Sequence, residues 1–110
     1  MRSIVHVSTD SEFDRTVACE RARGLVLSDL DTEIVLYADI DAVGMVVDDA
    51  PEAERVRSLI DSGVRVLASR ECLELRDIPL ESVVDGVELT GDSTTELARL
   101  QMEGATYVKT

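Results

Sequence analysis

The chain has 110 residues, 45% of them apolar and only 3% aromatic, which fits one domain (residues 1–110) with a modest, aliphatic core. Its formal charge of −12, from 23 acidic against 11 basic residues, repels phosphate backbones and argues against a nucleic-acid partner. No apolar run approaches the roughly 20 residues of a membrane span, and no basic-then-apolar leader opens the chain, so no membrane partner and a cytoplasmic location are expected. Ten of the basic residues are Arg and only Lys109 is Lys, while the acids are spread along the whole chain. Such a self-repelling surface is best tolerated where salt screens it, which suggests an acidic, halophilic protein. The two cysteines, Cys19 and Cys72, form no CxxC pair, and with a single histidine they offer neither a disulfide framework nor a zinc site. No metal or cofactor is expected.

Ser3-Ile4-Val5-His6-Val7 reads as a buried strand that ends at Ser8-Thr9. Thr9-Asp10-Ser11-Glu12 has capping-box spacing, and a helix follows with Phe13, Val17, Ala18, Ala22, Leu25 and Val26 on one stripe. Cys19 lies beside that stripe and reads as a small packed thiol. Asp29 to Thr32 is turn-like, and Glu33 to Tyr37 is a second strand. Asp39 and Asp41 leave its end; they suit either a hard cation or the cap of a short helix over Val43 to Val47. That Val43–Val47 run is itself ambiguous between helical turn and strand.

Asp48 to Glu52, with Pro51, signals a helix start, and Ala53, Val56, Leu59 and Ile60 carry the helical period up to Gly63. Val64 to Ala68 is a β-branched strand, after which Ser69 is placed to cap a helix that Ile78-Pro79 ends. Leu80 to Val84 suits a single turn, Asp85-Gly86 a tight turn and Val87 to Leu89 a short strand. Ser93-Thr94-Thr95-Glu96 reads as a second capping box, before a helix whose Leu97, Leu100 and Ala98 face inward and which Gly104 closes. Ala105 to Lys109 is a terminal strand suited to a sheet edge or a subunit contact. Strands alternating with helices give an α/β fold: a three-layer α/β/α arrangement with a mostly parallel sheet of about five strands.

In such sheets, ligands and chemistry gather where strands end and helices begin. The junctions Ser8-Thr9, Ala38-Asp39, Ala68-Ser69-Arg70 and Thr90-Gly91-Asp92 should therefore line one edge. His6, Ser8, Asp39, Ser69 and Arg70 are the candidate pocket residues, and Cys72 is the candidate reactive group. Ser69 has no evident base except His6 and no third partner, so nucleophilic hydrolysis is disfavoured and capping, worth about 1 kcal/mol, explains it. Cys72 lies one helical turn further on. Side chains on a helix lean back toward its N-terminus, so the sulfur either approaches the Ser69 corner or faces the core beside Leu73. His6 is either a satisfied strand histidine or a base, and Arg70 either binds an anion or is solvated.

The order of these segments resembles the DsrE/DsrF-like family, small cytoplasmic proteins associated with sulfur relay, over nearly the whole chain. His6-Val7-Ser8 is similar to the end of the family's opening strand, and Gly63-Val64 to the entry of its fourth strand. Leu73 with Arg76-Asp77-Ile78 is similar to the end of the following short helix, and Gly86-Val87 to the strand before the last helix. The tail, Glu96-Leu97-Ala98-Arg99-Leu100-Gln101-Met102-Glu103-Gly104-Ala105-Thr106-Tyr107-Val108-Lys109, is the most specific match. With its acidic composition, the chain looks like a haloarchaeal member. Sulfur-carrying members of the family place a cysteine at the position that Ser69 occupies here; Glu71 and Cys72 stand where polar residues are usual.

The resemblance therefore implies a family member without the usual carrier thiol: a non-catalytic, oligomeric binding or accessory protein, with a trimer preferred. The alternative is a sulfur-relay protein that carries a persulfide on Cys72 and meets a relay partner. The composition generates its own expectation. The unfolding midpoint in urea should rise from low to molar salt as the acidic shell is screened, and a midpoint that stays flat would contradict the halophilic reading.

Overall fold

The β-branched runs of the sequence become the strands of one sheet, in a computed structural model that describes residues 2–28 and 33–110. The strands are β1 (Arg2–Val7), β2 (Glu33–Ala38), β3 (Arg65–Ser69), β4 (Glu88–Thr90) and β5 (Thr106–Lys109). They lie in the order β4-β3-β2-β1-β5, and every pairing is parallel. The helices are α1 (Glu12–Leu27), α2 (Ala53–Asp61), α3 (Arg70–Leu75) and α4 (Ser93–Met102). The turn expected at Asp29–Thr32 lies outside the described residues.

Parallel neighbours joined by a helix cross over right-handed. From β1 the chain steps through β2 and β3 to β4 in one direction, so the connections through α1, α2 and α3 fall on one face of the sheet. It then returns across the sheet to place β5 on the far side of β1. Reversing the direction of travel puts α4 on the opposite face. The buried side chains divide accordingly. One cluster joins Val5, Val7, Leu36, Ala38, Val66 and Ala68 to Ala18, Cys19, Ala22, Val56, Leu59 and Leu73 of the first three helices. The other joins Ile4, Val35, Tyr37 and Leu67 to Leu100 of α4, with Leu97 packed beside them. The strands alternate between these clusters with the period of two that a pleated sheet imposes.

Local expectations shift by a residue or two where a better cap competes. Ser11, not Thr9, caps α1: its hydroxyl accepts the Asp14 N–H at 3.2 Å. With the helix starting there, Phe13 turns outward and is 75% exposed, instead of joining the apolar stripe. Asp92, not Ser93, caps α4 by accepting the Thr94 N–H at 3.0 Å, and Ala98 is exposed. α2 begins at Ala53; Asp48 to Glu52 form turns ahead of it. α3 stops at Leu75, earlier than Pro79 requires, because Asp77 adopts a left-handed φ of 55°. The ambiguous run resolves as a 3-10 helix over Ile40–Val46, so the strand entered at Gly63 is the third in chain order, not the fourth. Gly63, at φ 94°, sits just past the end of α2 where a left-handed residue is needed.

The α4 face has a second component. Arg2, Glu33, Arg65 and Glu88 point to the same side as Ile4, Val35, Leu67 and Tyr37. They pair in a chain: Glu88 with Arg65 at 2.9 Å, Arg65 with Glu33 at 3.2 Å and Glu33 with Arg2 at 2.8 Å. Arg2 continues to Glu103 at 2.6 Å, and Glu103 to Arg99 at 2.7 Å. Hydrogen bonds donated to Glu88 and Glu33 raise the pKa of Arg65 against the opposing effect of burial. An ion-pair ribbon thus covers the part of the sheet that the thin apolar layer does not. Leu100 is the fully buried residue of α4, at 0% exposure. Leu100→Ala should cost about 2–5 kcal/mol in urea unfolding, with unchanged m-value, if α4 is held chiefly by this contact. A loss under 1 kcal/mol would show that the ribbon holds the helix instead.

Candidate functional site

β1 ends in His6-Val7, with Ser8 just beyond it, and β5, its neighbour on the side opposite β2, ends in Tyr107-Val108-Lys109. The parallel register sets Lys109 beside His6 and Tyr107 beside Ile4. Alternation puts His6, Tyr107 and Lys109 on one face. This is the place where the chain reverses its course across the sheet, and in open α/β sheets such reversals open a crevice at the carboxyl ends of the strands.

The side chains here form a closed network. His6 Nε2 lies 2.9 Å from Asp39 Oδ1, and Nδ1 lies 2.6 Å from the Tyr107 hydroxyl. A carboxylate only accepts, so in the neutral ring Nε2 carries the proton and Nδ1 accepts from the phenol. Ser8 donates its hydroxyl to the same Asp39 Oδ1 at 2.6 Å, while Lys109 Nζ donates to Ser8 at 2.6 Å. Tyr37 packs edge-on to the His6 ring, with centroids 6.0 Å apart, and shares a 2.5 Å hydrogen bond with Thr90. His6 and Asp39 are 7% and 5% exposed. Burial works to raise the Asp39 pKa, but hydrogen bonds from His6 and Ser8, with Lys109 nearby, outweigh it and leave the carboxyl below its ordinary range. Tyr107 is shifted up, first by burial and then by Asp39, so it stays a phenol and a donor. Ser8 and Asp39 both meet the same nitrogen of His6, at 3.2 and 2.9 Å. In a Ser-His-Asp relay they would occupy opposite nitrogens, so the trio does not activate Ser8.

Asp39 occupies the cap position of the 3-10 helix but makes no side-chain cap there, because its carboxylate is turned to His6 and Ser8. The next residues are clamped to the end of β1: the Asp39 N–H bonds Val7 O at 3.2 Å and the Asp41 N–H bonds Ser8 O at 3.0 Å. Between those two bonds Ile40 is forced into the left-handed region at φ 51°, with its side chain 56% exposed. A β-branched residue held there costs on the order of 1–3 kcal/mol. Arg15 of α1 supports the turn from behind. Its Nη2 donates to Asp41 O at 2.7 Å, and its Nη1 pairs with the buried Glu52 at 3.2 Å. Asp41 itself pairs outward with Arg76, so the two acids at this strand end have separate partners. No cluster among the described residues is built to hold a metal ion.

The third strand end supplies the sulfur. Ser69 is 1% exposed and caps α3, accepting the Cys72 N–H at 3.2 Å. Cys72 is half-buried, and its Sγ accepts the Ile40 N–H at 3.2 Å. The thiol therefore leans back from α3 to the β2 end, one residue from Asp39. Of the six candidates, His6, Ser8 and Asp39 form one group, and Ser69 and Cys72 a second, joined to the first through Ile40. Arg70 stands apart: its side chain is 58% exposed and faces Glu74 at 3.7 Å. Sequence reasoning missed Tyr107, Lys109 and Ile40. Lys109, the only lysine, was visible two residues after Tyr107 in a strand, but its neighbour could not be named without the strand order.

The Asp39 shift fixes a sign. A carboxyl whose folded pKa is lowered contributes stability that is present above its unfolded value and is lost as pH falls through the folded one. Asp39→Asn keeps an acceptor for His6 and Ser8 but removes the charge. It should cost about 1–2 kcal/mol near neutral pH and nothing at acid pH, where the parent also loses the charge. Urea midpoints of parent and variant that stay equally far apart down to pH 3 would contradict this role.

No family model matches the chain, and no curated sequence is similar to it. Solved structures are. MTH1491, a protein of unknown function from Methanobacterium thermoautotrophicum, superposes with a TM-score of 0.92 at 24% identity, over 99% of this chain and 98% of its own. The ychN protein of E. coli superposes at 0.80 with 20% identity over the full length of both chains. BT1422, a conserved protein of unknown function from Bacteroides thetaiotaomicron, gives 0.74 at 14% identity, over 99% of this chain and 94% of that one. At these identities the likeness is one of architecture, and the architecture is the DsrE-like fold.

Proposed function

We propose that the protein is a DsrE-like protein without the usual carrier cysteine, and that it works as a non-catalytic, oligomeric binding or accessory protein. The observation that carries this reading is at Ser69. The position where sulfur-carrying relatives hold a thiol is filled by a hydroxyl that is 1% exposed and engaged as a helix cap. The neighbouring polar groups are likewise engaged with one another: His6 through both ring nitrogens, Ser8 by Lys109 and Asp39. A network closed in this way holds a surface in shape; it does not present a nucleophile. Assembly is favoured by the edges of the sheet. β5 is short and lies at one edge, with Tyr107 38% exposed, and β4 at the other, with Leu89 38% exposed. A trimer remains the preferred assembly, by resemblance.

A second reading is favoured by one contact, the Ile40 N–H on Cys72 Sγ at 3.2 Å. An N–H aimed at sulfur stabilises a thiolate. That thiolate would attack the outer sulfur of a donor persulfide, form the new S–S bond and release the donor as a thiolate, with no net oxidation. A relay partner would then take the sulfur by the same exchange.

One experiment separates the readings. The protein is treated with a persulfide donor and weighed intact, alongside Cys72→Ser and Cys19→Ser. The accessory reading expects no adduct of about 32 Da, one sulfur atom, on the parent. An adduct that disappears only in Cys72→Ser would replace it with the relay reading. Light scattering of the untreated protein should give three times the 12.0 kDa chain mass; a monomer would sink the oligomeric part.

A further inference from the structure

Two side chains at the carboxyl edge of the sheet are left unused by the network around His6 and Asp39. Ile40 follows Asp39 at the end of β2, and Leu75 is the last residue of α3. Both are large, apolar and exposed, at 56% and 76%. They flank one point. The Ile40 N–H donates to Cys72 Sγ at 3.2 Å, and Cys72 and Leu75, three positions apart, share one side of α3. Arg76, the residue after Leu75, pairs with Asp41, the residue after Ile40. The two segments are thereby tied into one ridge beside the candidate site.

The backbone holds both side chains outward. Ile40 has a φ of 51°, in the left-handed region that a β-branched residue enters only under strain. Asparagine or glycine would occupy the same turn without that strain. The side chain kept there is more than half exposed, so packing in the core does not account for it. α3 closes directly after Leu75 in a Schellman turn. Asp77 is left-handed at φ 55°, its N–H bonds Glu74 O at 3.1 Å, and the Ile78 N–H bonds Leu73 O at 2.9 Å. A backbone closed in this way needs no ordering when the ridge is covered.

The charges on its flanks select what can cover it. Arg70 faces Glu74 at 3.7 Å and Arg76 is engaged by Asp41. Among the described residues, Glu71, one helical turn before Leu75, and Asp77, two residues after it, have no ionic partner. The ridge is therefore apolar along its crest and carries free carboxylates beside it. A second copy of the chain, at net charge −12, meets it with like charge, and an anionic bilayer is repelled in the same way. We infer that the Ile40–Leu75 ridge docks a basic amphipathic helix of another protein, its apolar stripe across Ile40 and Leu75 and its cations on Glu71 and Asp77. Exposed apolar anchors ringed by polar groups are the form such contact surfaces take. The docking rests on the accessory reading, for which it supplies the partner.

The probe is a fluorescein-labelled amphipathic helix of Leu and Lys, about 18 residues or five turns long. The same residues in scrambled order are its control. Both are read by anisotropy on the full chain in ~0.15 M salt. The amphipathic peptide should bind saturably, and the scrambled one at least about tenfold more weakly. Ile40→Asn and Leu75→Ser should each weaken binding at least about fivefold. Met102→Ser, which removes an 87%-exposed side chain from α4, should leave it unchanged. Ile40→Asn keeps the N–H on Cys72 and relaxes the backbone, so its urea midpoint should hold or rise. Equal binding of the scrambled peptide, an equal loss in Met102→Ser, unaltered binding in both ridge variants, or a lower midpoint in Ile40→Asn would each overturn the docking. So would dissociation of the oligomer in Leu75→Ser, which would make the ridge a contact between copies. The assay contains no sulfur donor, so the docking can fail here while the accessory reading stands.

Discussion

The handedness of the parallel crossover governs this molecule. Every connection in an all-parallel sheet must pass over a face, and it passes over right-handed. Three steps in one direction therefore load one face with α1, α2 and α3. The single return step, longer than the others, sends α4 to the other face and β5 to the free side of β1. Two consequences follow from that one reversal. The α4 face receives only one helix, so its cover is completed by ion pairs instead of apolar contacts. And the carboxyl ends of β1 and β5 come to lie together, which is what gathers His6, Ser8, Tyr107 and Lys109 into one network.

That network is an answer to a buried charge. Asp39 is 5% exposed, and an isolated carboxylate so placed would be protonated or would destabilise the fold by several kcal/mol. It is kept ionised by two donors from the end of β1, His6 and Ser8, and Lys109 of β5 donates in turn to Ser8. Because the network joins the end of β1 to Tyr107 and Lys109 of β5, it also reports on the register between those strands. A slip of β5 by one residue would remove Tyr107 and Lys109 to the opposite face and leave His6 Nδ1 without its phenol. Arg15 makes the corresponding link on the other side, joining α1 to the 3-10 helix and to the buried Glu52.

How much of this the chain reveals before folding depends on the range of the interaction. Strands, helices and the Ser69 cap follow from local chemistry, and they are found where the sequence puts them to within a few residues. The errors are also local. Ser11 outcompetes Thr9 because a hydroxyl with the Asp14 N–H within reach is a cap, whatever the capping-box spacing suggests. Turning Phe13 outward is the direct result. The strand order could not be read, because nothing in Thr106–Lys109 says which edge it joins. With it went the network: His6, Ser8 and Asp39 could be selected one by one as strand-end residues, but their partners Tyr107 and Lys109 lie about a hundred positions away from His6 and Ser8 and meet them only through the return crossover. The family resemblance gives the fold correctly and cannot supply this chain's own contacts.

At the corner between β3 and α3 the sulfur takes a position set by a contact with a distant segment of the chain. A cysteine at residue 69 would sit at the helix N-terminus and take its stabilising N–H groups from that helix. With serine there, the Cys72 N–H is already bonded to Ser69, and the sulfur, one turn on, looks elsewhere for a donor. It finds one in the Ile40 N–H at 3.2 Å, which points outward only because Asp39 and Asp41 are clamped to Val7 and Ser8 on either side of it. The donor to the Cys72 sulfur is thus a single strained peptide, that of Ile40, and not a helix terminus. That peptide adjoins Asp39, a negative charge, whereas a helix N-terminus is positive over several N–H groups. The sulfur at this corner is tied to the end of β2 and not to the N-terminus of the helix that carries it.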